Sequence, residues 1–212
     1  MGAAIMLSWL EDGIGERAVR LEAGETAFRQ SDPVFALFRV KSGRVRLIRT
    51  LENGATLALY TARTGDTFAE AAVSADAYHC DAVAEVSSEV VAYPIQAIRD
   101  RLSDTPGAAL DFALFMAAQV RTLRTQLELR NIRSAKDRVL AWLELRAAGV
   151  PRSAKLDQPW TEVAADIGLT REALYRALSD LSRSGVIRRE SDRTILLGSP
   201  ARAWPLHSRL QA

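Results

Sequence analysis

An α+β fold is predicted: a β-rich N-terminal half, a long central helix and a compact helical C-terminal part. Three observations predict it. Short alternating apolar runs, broken by turn residues, recur up to about Ile95. Beyond Pro106 the apolar residues change to 3- and 4-residue steps. Two short helical segments then flank Gly168. The first pattern is the period of strands and the other two are the period of helices.

The alternating runs fall at residues 27–29, 34–40, 45–49, 56–60 and 89–93. Between them stand the turn signals Ser31-Asp32-Pro33, Lys41-Ser42-Gly43, Glu52-Asn53-Gly54 and Thr64-Gly65-Asp66. Asn53-Gly54 joins two of the runs as a hairpin, because both residues tolerate positive φ. Many short strands at this spacing predict a small barrel or roll.

The long helix is expected over residues 106–131, with Thr105 as N-cap and Pro106 in the first turn. Leu110, Ala113, Leu114, Ala117, Val120, Leu123 and Leu127 make one apolar stripe along it. About five turns of stripe exceed what a cover for a small roll needs. A coiled-coil seam with a second copy is expected. A further helix over 134–148 places Val139, Leu140, Trp142 and Leu143 inward, and Gly149-Val150-Pro151 stops it.

Residues 161–185 read TEVAADIGLTREALYRALSDLSRSG. Thr161 and Thr170 suit the N-caps of two helices about Gly168. Ala164 is small where the helices must cross closely, and Val163, Ile167, Leu169, Leu174 and Ala177 fill the angle between them. That set predicts a helix-turn-helix. The second helix turns Arg171, Glu172, Tyr175, Arg176 and Ser179 outward. Arginine can grip guanine O6 and N7 with two hydrogen bonds, and glutamate can accept from cytosine N4. Residues 186–189 and 194–197 form a two-stranded wing, whose Arg188, Arg189 and Arg193 suit phosphates.

Charge agrees with this arrangement. Residues 1–129 hold 13 Lys and Arg against 17 Asp and Glu, whereas residues 130–212 hold 15 against 9. A polyanion is drawn to the C-terminal part. The chain of 212 residues suits one large domain or two small ones. One cysteine, Cys80, rules out an internal disulfide and a four-thiolate iron–sulfur cluster. Two histidines, His79 and His207, leave little for hydrolytic chemistry, so no enzyme and no metal site are expected. No apolar run is long enough to span a bilayer, and residues 1–10 do not read as a signal peptide. A cytoplasmic location without a membrane partner follows as an expectation.

The order of these parts resembles the Crp/Fnr family, from about Val19 to Leu197. SGRVRLIRTLENGATLALY and TGDTFAE look like that family's strand, hairpin and glutamate-bearing segment, and LTREALYRALSDLSRSGVI is similar to its recognition helix. The resemblance implies a cyclic-nucleotide-binding-like jelly roll, or β-roll, as sensory domain (1–104), a dimerisation helix (105–131) and a winged helix-turn-helix (132–212). It implies a homodimeric transcription regulator that binds double-stranded DNA, with RNA polymerase as a further partner. Thr170, Arg171, Glu172, Tyr175, Arg176, Ser179, Arg188 and Arg189 are the expected DNA contacts, with Arg171, Glu172 and Arg176 at the base-reading positions. The effector-pocket candidates are Glu70, His79, Cys80 and Arg124. Here the chain departs from the family. Ala69 replaces a glycine, and His79 and Cys80 stand where an arginine and a Ser or Thr hold the cyclic phosphate. No cofactor is therefore expected, neither a cyclic nucleotide in the usual mode nor an iron–sulfur cluster. The competing reading is an effector-sensing or protein-interaction module without DNA binding.

Overall fold

The computed structural model describes residues 7–198, except Asp12, Glu52, Asp157 and Asp192. Most of residues 1–10, read above for a leader, and the tail 199–212 with His207 lie outside the described residues, as does Glu52 of one turn signal. The chain divides into two compact units, 2–118 and 119–212.

Among the described residues, the first unit holds eight strands. They are β1 (Arg17–Leu21), β2 (Thr26–Phe28), β3 (Ala36–Ser42), β4 (Arg44–Thr50), β5 (Thr56–Arg63), β6 (Thr67–Phe68), β7 (Asp81–Ala84) and β8 (Ser88–Pro94). They pair antiparallel into two sheets, ordered β1-β8-β3-β6 and β2-β7-β4-β5. Alternation along each strand sends one set of side chains between the sheets. Leu21, Phe28, Phe38, Val40, Val45, Ala62, Phe68, Ala82 and Val90 meet there in one core. Phe38 stacks on Phe68 with ring centroids 5.1 Å apart, and Phe28 on Tyr78 at 3.7 Å. The Tyr78 hydroxyl accepts from the Ala36 N–H and donates to the Ala36 carbonyl, which pins the long loop before β7 to β3. At the β3–β4 turn Gly43 has φ +90°, and a Cβ there would stand 2.7 Å from Ser88 Cα, so only glycine fits.

The outer face of the first sheet has a cover. Leu37 and Tyr93, on the opposite side from Phe38 and Val90, pack with Leu7 and with Trp9 and Leu10 of the 3₁₀ turn Ser8–Glu11. Ile98 of α1 (Ile95–Asp104) and Ala108 and Phe115 of α2 (Ala108–Asn131) complete this cluster. The helix α1 is absent from the sequence reading. It buries only Ile95 and Ile98, too short a stripe to be seen as periodic. Its presence changes the role expected for Thr105. That residue is extended and ends α1 instead of capping the next helix. Its carbonyl accepts from the Ala108 N–H, and α2 starts after Gly107.

The helix α2 runs 24 residues, across the division between the units. Phe115, with Phe112 and Met116, faces the cluster just described. The predicted stripe lies elsewhere on the helix and is open throughout: Leu110 is 62% exposed and Leu127 60%, and Leu114, Val120 and Leu123 are exposed as well.

The second unit begins with the last turns of α2. Next comes α3 (Ala135–Glu144), whose N-cap Ser134 accepts from the Asp137 N–H. It buries Val139, Trp142 and Leu143 as expected. It ends at Glu144, four residues before the expected stop, because residues 147–148 pair as a strand. A four-stranded sheet follows, ordered β11-β12-β10-β9, from β9 (Ala147–Ala148), β10 (Ser153–Lys155), β11 (Ile187–Ser191) and β12 (Thr194–Leu197). Between β10 and β11 stand α4 (Trp160–Asp166) and α5 (Arg171–Arg183). One core joins them: Trp142, Trp160, Val163, Ile167, Leu174, Leu181, Ile187 and Ile195.

Candidate nucleic-acid interface

The helix α4 begins two residues earlier than the expected cap at Thr161 implies. The Pro159 carbonyl accepts from the Glu162 and Val163 N–H groups, so Pro159 is the N-cap and Thr161 is already helical. The turn itself is as expected. Gly168 has φ +65°, and the Leu169 N–H donates to the Ala164 carbonyl at 2.8 Å. Ala164 is buried at the crossing of the helices. Thr170 caps α5, its hydroxyl accepting from the Ala173 N–H at 3.2 Å.

The helix α5 has two faces. Leu174, Ala177 and Leu181 are buried. Arg171, Glu172, Tyr175, Arg176 and Ser179 are exposed. At about 100° per residue these five fall within an arc of about 140° on the far side. The Arg171 guanidinium lies 5.6 Å from the Tyr175 ring centroid, a cation–π contact one turn along. The Glu172 carboxyl is held below the usual carboxylate range. Its own backbone N–H is the main cause, followed by the Thr170 hydroxyl, with the Arg171 charge contributing less. The first turn of the helix thus presents a fixed anion beside a cation. Arg183 was missed in the sequence. It is exposed within the same arc, contacts Asp180 at 3.2 Å and donates to Ser179 Oγ at 3.4 Å. Its spacing of four from Ser179 and seven from Arg176 was the available signal.

The hairpin β11–β12 carries the other expected contacts. Arg188 pairs across from Leu196 and Arg189 from Ile195, and both arginines are exposed. A cleft of about 210 Å3 lies between α5 and this hairpin. Tyr175, Ser179 and Arg189 line it together, above Trp160, Leu178 and Ile187.

The effector candidates are less coherent. Glu70 opens a 3₁₀ turn, Glu70–Ser74, and accepts from Thr67 Oγ1 at 2.8 Å. Burial raises its carboxyl pKa. Ala69 before it has φ +67°, and its side chain is packed into the core. His79 and Cys80 sit in a bend before β7, whose pairing starts at Asp81. His79 is exposed and Cys80 is buried. Burial pushes the Cys80 thiol up; the Arg49 charge opposes that. Arg49 donates through Nε to the His79 carbonyl at 3.3 Å. Arg124 is exposed on α2 in the second unit. A cyclic phosphate needs a fixed cation with paired donors. A buried thiol beside an exposed imidazole does not fit that group. Among the described residues no cluster of three or more His, Cys, Asp or Glu could hold a metal ion. No described helix is long and apolar enough to cross a membrane.

Residues 18–105 match the family model of the cyclic nucleotide-binding domain. The cyclic AMP receptor protein of Thermus thermophilus is 30% identical over 167 residues, 78% of this chain and 76% of that protein. The chain belongs to the Crp/Fnr family. Crp/Fnr proteins are transcription regulators, not enzymes. The transcriptional regulator LdrP of the same organism is 28% identical, covering 91% of this chain and 98% of its own. The FixK2 structure from Bradyrhizobium japonicum shares the Crp/Fnr fold at a TM-score of 0.60 and 21% identity, over 87% of this chain and 93% of that one.

Proposed function

We propose that this Crp/Fnr chain is a homodimeric, sequence-specific DNA-binding regulator acting in the cytoplasm. Residues 132–212 are its winged helix-turn-helix, 105–131 its dimerisation helix and 1–104 its sensory β-roll. The reading rests on one observation. Opposite its buried Leu174, Ala177 and Leu181, α5 exposes an edge of Arg171, Glu172, Tyr175 and Arg176. In the major groove Arg171 and Arg176 read guanines and Glu172 accepts from cytosine. Thr170, Ser179, Arg188 and Arg189 hold the phosphate backbone and set the register of the helix. The dimer forms along the exposed α2 stripe. Its symmetry presents α5 twice, to half-sites about 34–36 Å apart or a multiple of that. RNA polymerase is the further protein partner.

The β-roll senses an effector through the region of Glu70, His79 and Cys80, and not by gripping a cyclic phosphate in the family's usual way. Selection of bound duplexes from random DNA, with and without cyclic nucleotides, tests both parts. A palindromic consensus in both conditions is expected. No consensus in either condition ends the DNA reading, and a consensus that appears only with a nucleotide ends the reading of the β-roll.

A further inference from the structure

Arg138, in the first turn of α3, is half-buried. Its guanidinium donates to three backbone carbonyls. Nε and Nη2 reach the Ile132 carbonyl at 3.0 and 2.6 Å. Nη1 reaches the Ile167 and Gly168 carbonyls at 3.0 Å each. Ile132 lies in the short link between α2 and α3, and Ile167-Gly168 is the turn between α4 and α5. The last carbonyls of a helix have no partner within it and carry partial negative charge, so a cation there is favoured. The side chain of Arg130, in the final turn of α2, lies over the same glycine: a Cβ on Gly168 would stand 3.4 Å from Arg130 Cγ. Two arginines from either side of the link therefore converge on the turn that precedes α5.

We propose that Arg138 is the positioning residue of the DNA-reading helix: it locks the α4–α5 turn to the α2–α3 link, so the aim of α5 follows that link. The inference rests on the function proposed above. Arg138 touches no DNA in this scheme. It acts through Gly168, two residues ahead of the Thr170 cap. A lysine has one point charge and cannot fork across three carbonyls.

Two measurements on the full-length chain test it. The first is amide hydrogen exchange without DNA, in Arg138→Gln and Arg138→Lys. Exchange at Leu169, whose N–H bonds the Ala164 carbonyl in the turn, should rise about tenfold or more in Arg138→Gln. The Leu197 amide, bonded to the Arg152 carbonyl in the wing sheet, should keep its protection. The second is the ratio of affinities for a selected and a random duplex. It should fall about tenfold in Arg138→Gln, the free-energy equivalent of about one charged hydrogen bond, with Arg138→Lys in between. Random-duplex affinity itself should stay within about threefold, because the phosphate-contacting charges remain. Unchanged exchange at Leu169 relative to Leu197 overturns the proposal. So does an unchanged ratio in a variant of a wild type that does discriminate. If Arg138→Gln does not fold, Arg138→Lys is judged by the same two readouts. A wild type with no sequence preference ends the DNA-reading function instead, and the exchange result then decides on the lock alone.

Discussion

The helices α2 and α5 are both striped with apolar residues at helical spacing, yet they leave opposite faces open. The apolar stripe of α5 is buried in its own unit, and its charged face is exposed. In α2 the stripe from Leu110 to Leu127 is exposed, while Phe112, Phe115 and Met116, off the stripe, pack inward. The difference teaches what each helix still lacks. An exposed row of leucines is best covered by an equal row, so α2 calls for a second copy of itself. A face of guanidinium and carboxylate groups calls for a polar, charged partner, and DNA supplies one.

The largest effect should come from the stripe. Leu114→Glu together with Leu127→Glu places four carboxylates in a twofold seam. Sedimentation equilibrium should show the dimer weakened about a thousandfold or more, about 4 kcal/mol. Unfolding of each unit should change little, because both leucines are already open in the single chain. An unaltered mass distribution would show that the stripe faces something other than its twin. Next comes Leu174→Ala, on the buried face of α5. It leaves a cavity in the second core and should cost about 2–5 kcal/mol in thermal unfolding of that unit. A melting temperature equal to wild type would mean that the buried face does not hold the helix.

A smaller change follows from Arg171→Ala or Arg176→Ala. Each should cost about 1–3 kcal/mol on the selected duplex and relax base choice at one position per half-site. Arg188→Ala should weaken selected and random duplexes alike and lower the salt slope by about one per subunit, about two for the dimer. Equal selectivity in both α5 variants would contradict the assignment of reading residues. The smallest effect concerns Glu172. Its folded pKa lies below its unfolded value. The stabilisation is therefore complete above the unfolded value of about 4.3 and disappears as pH falls through the lower folded one. Denaturant titrations should show wild type losing slightly more stability than Glu172→Gln as the pH drops across that window.

How much of this was readable depended on period and length. The helix α5 was legible because its three buried positions, Leu174, Ala177 and Leu181, recur at helical spacing and Thr170 and Gly168 frame its start. The family likeness was legible for the same reason. The strands β6 and β7 have two and four residues, too few for alternation to register. Thr161 misled because a threonine is a good cap in isolation, whereas here the Pro159 carbonyl takes the first helical bonds. The order of residues 70–80 was hidden by tertiary pairing: the Tyr78 hydroxyl pins the loop before β7 to Ala36, 42 residues away. Arg138 was invisible as well, since its partners are backbone carbonyls and no side-chain pattern announces them.

The sealed thiol of Cys80 turns the β-unit into its own clock. It is the sole sulfhydryl of the chain and is 2% exposed. Burial also keeps it in the unreactive protonated form. A thiol reagent can therefore reach it only when the packing around this bend opens, and the rate of labelling counts those openings in the first unit alone.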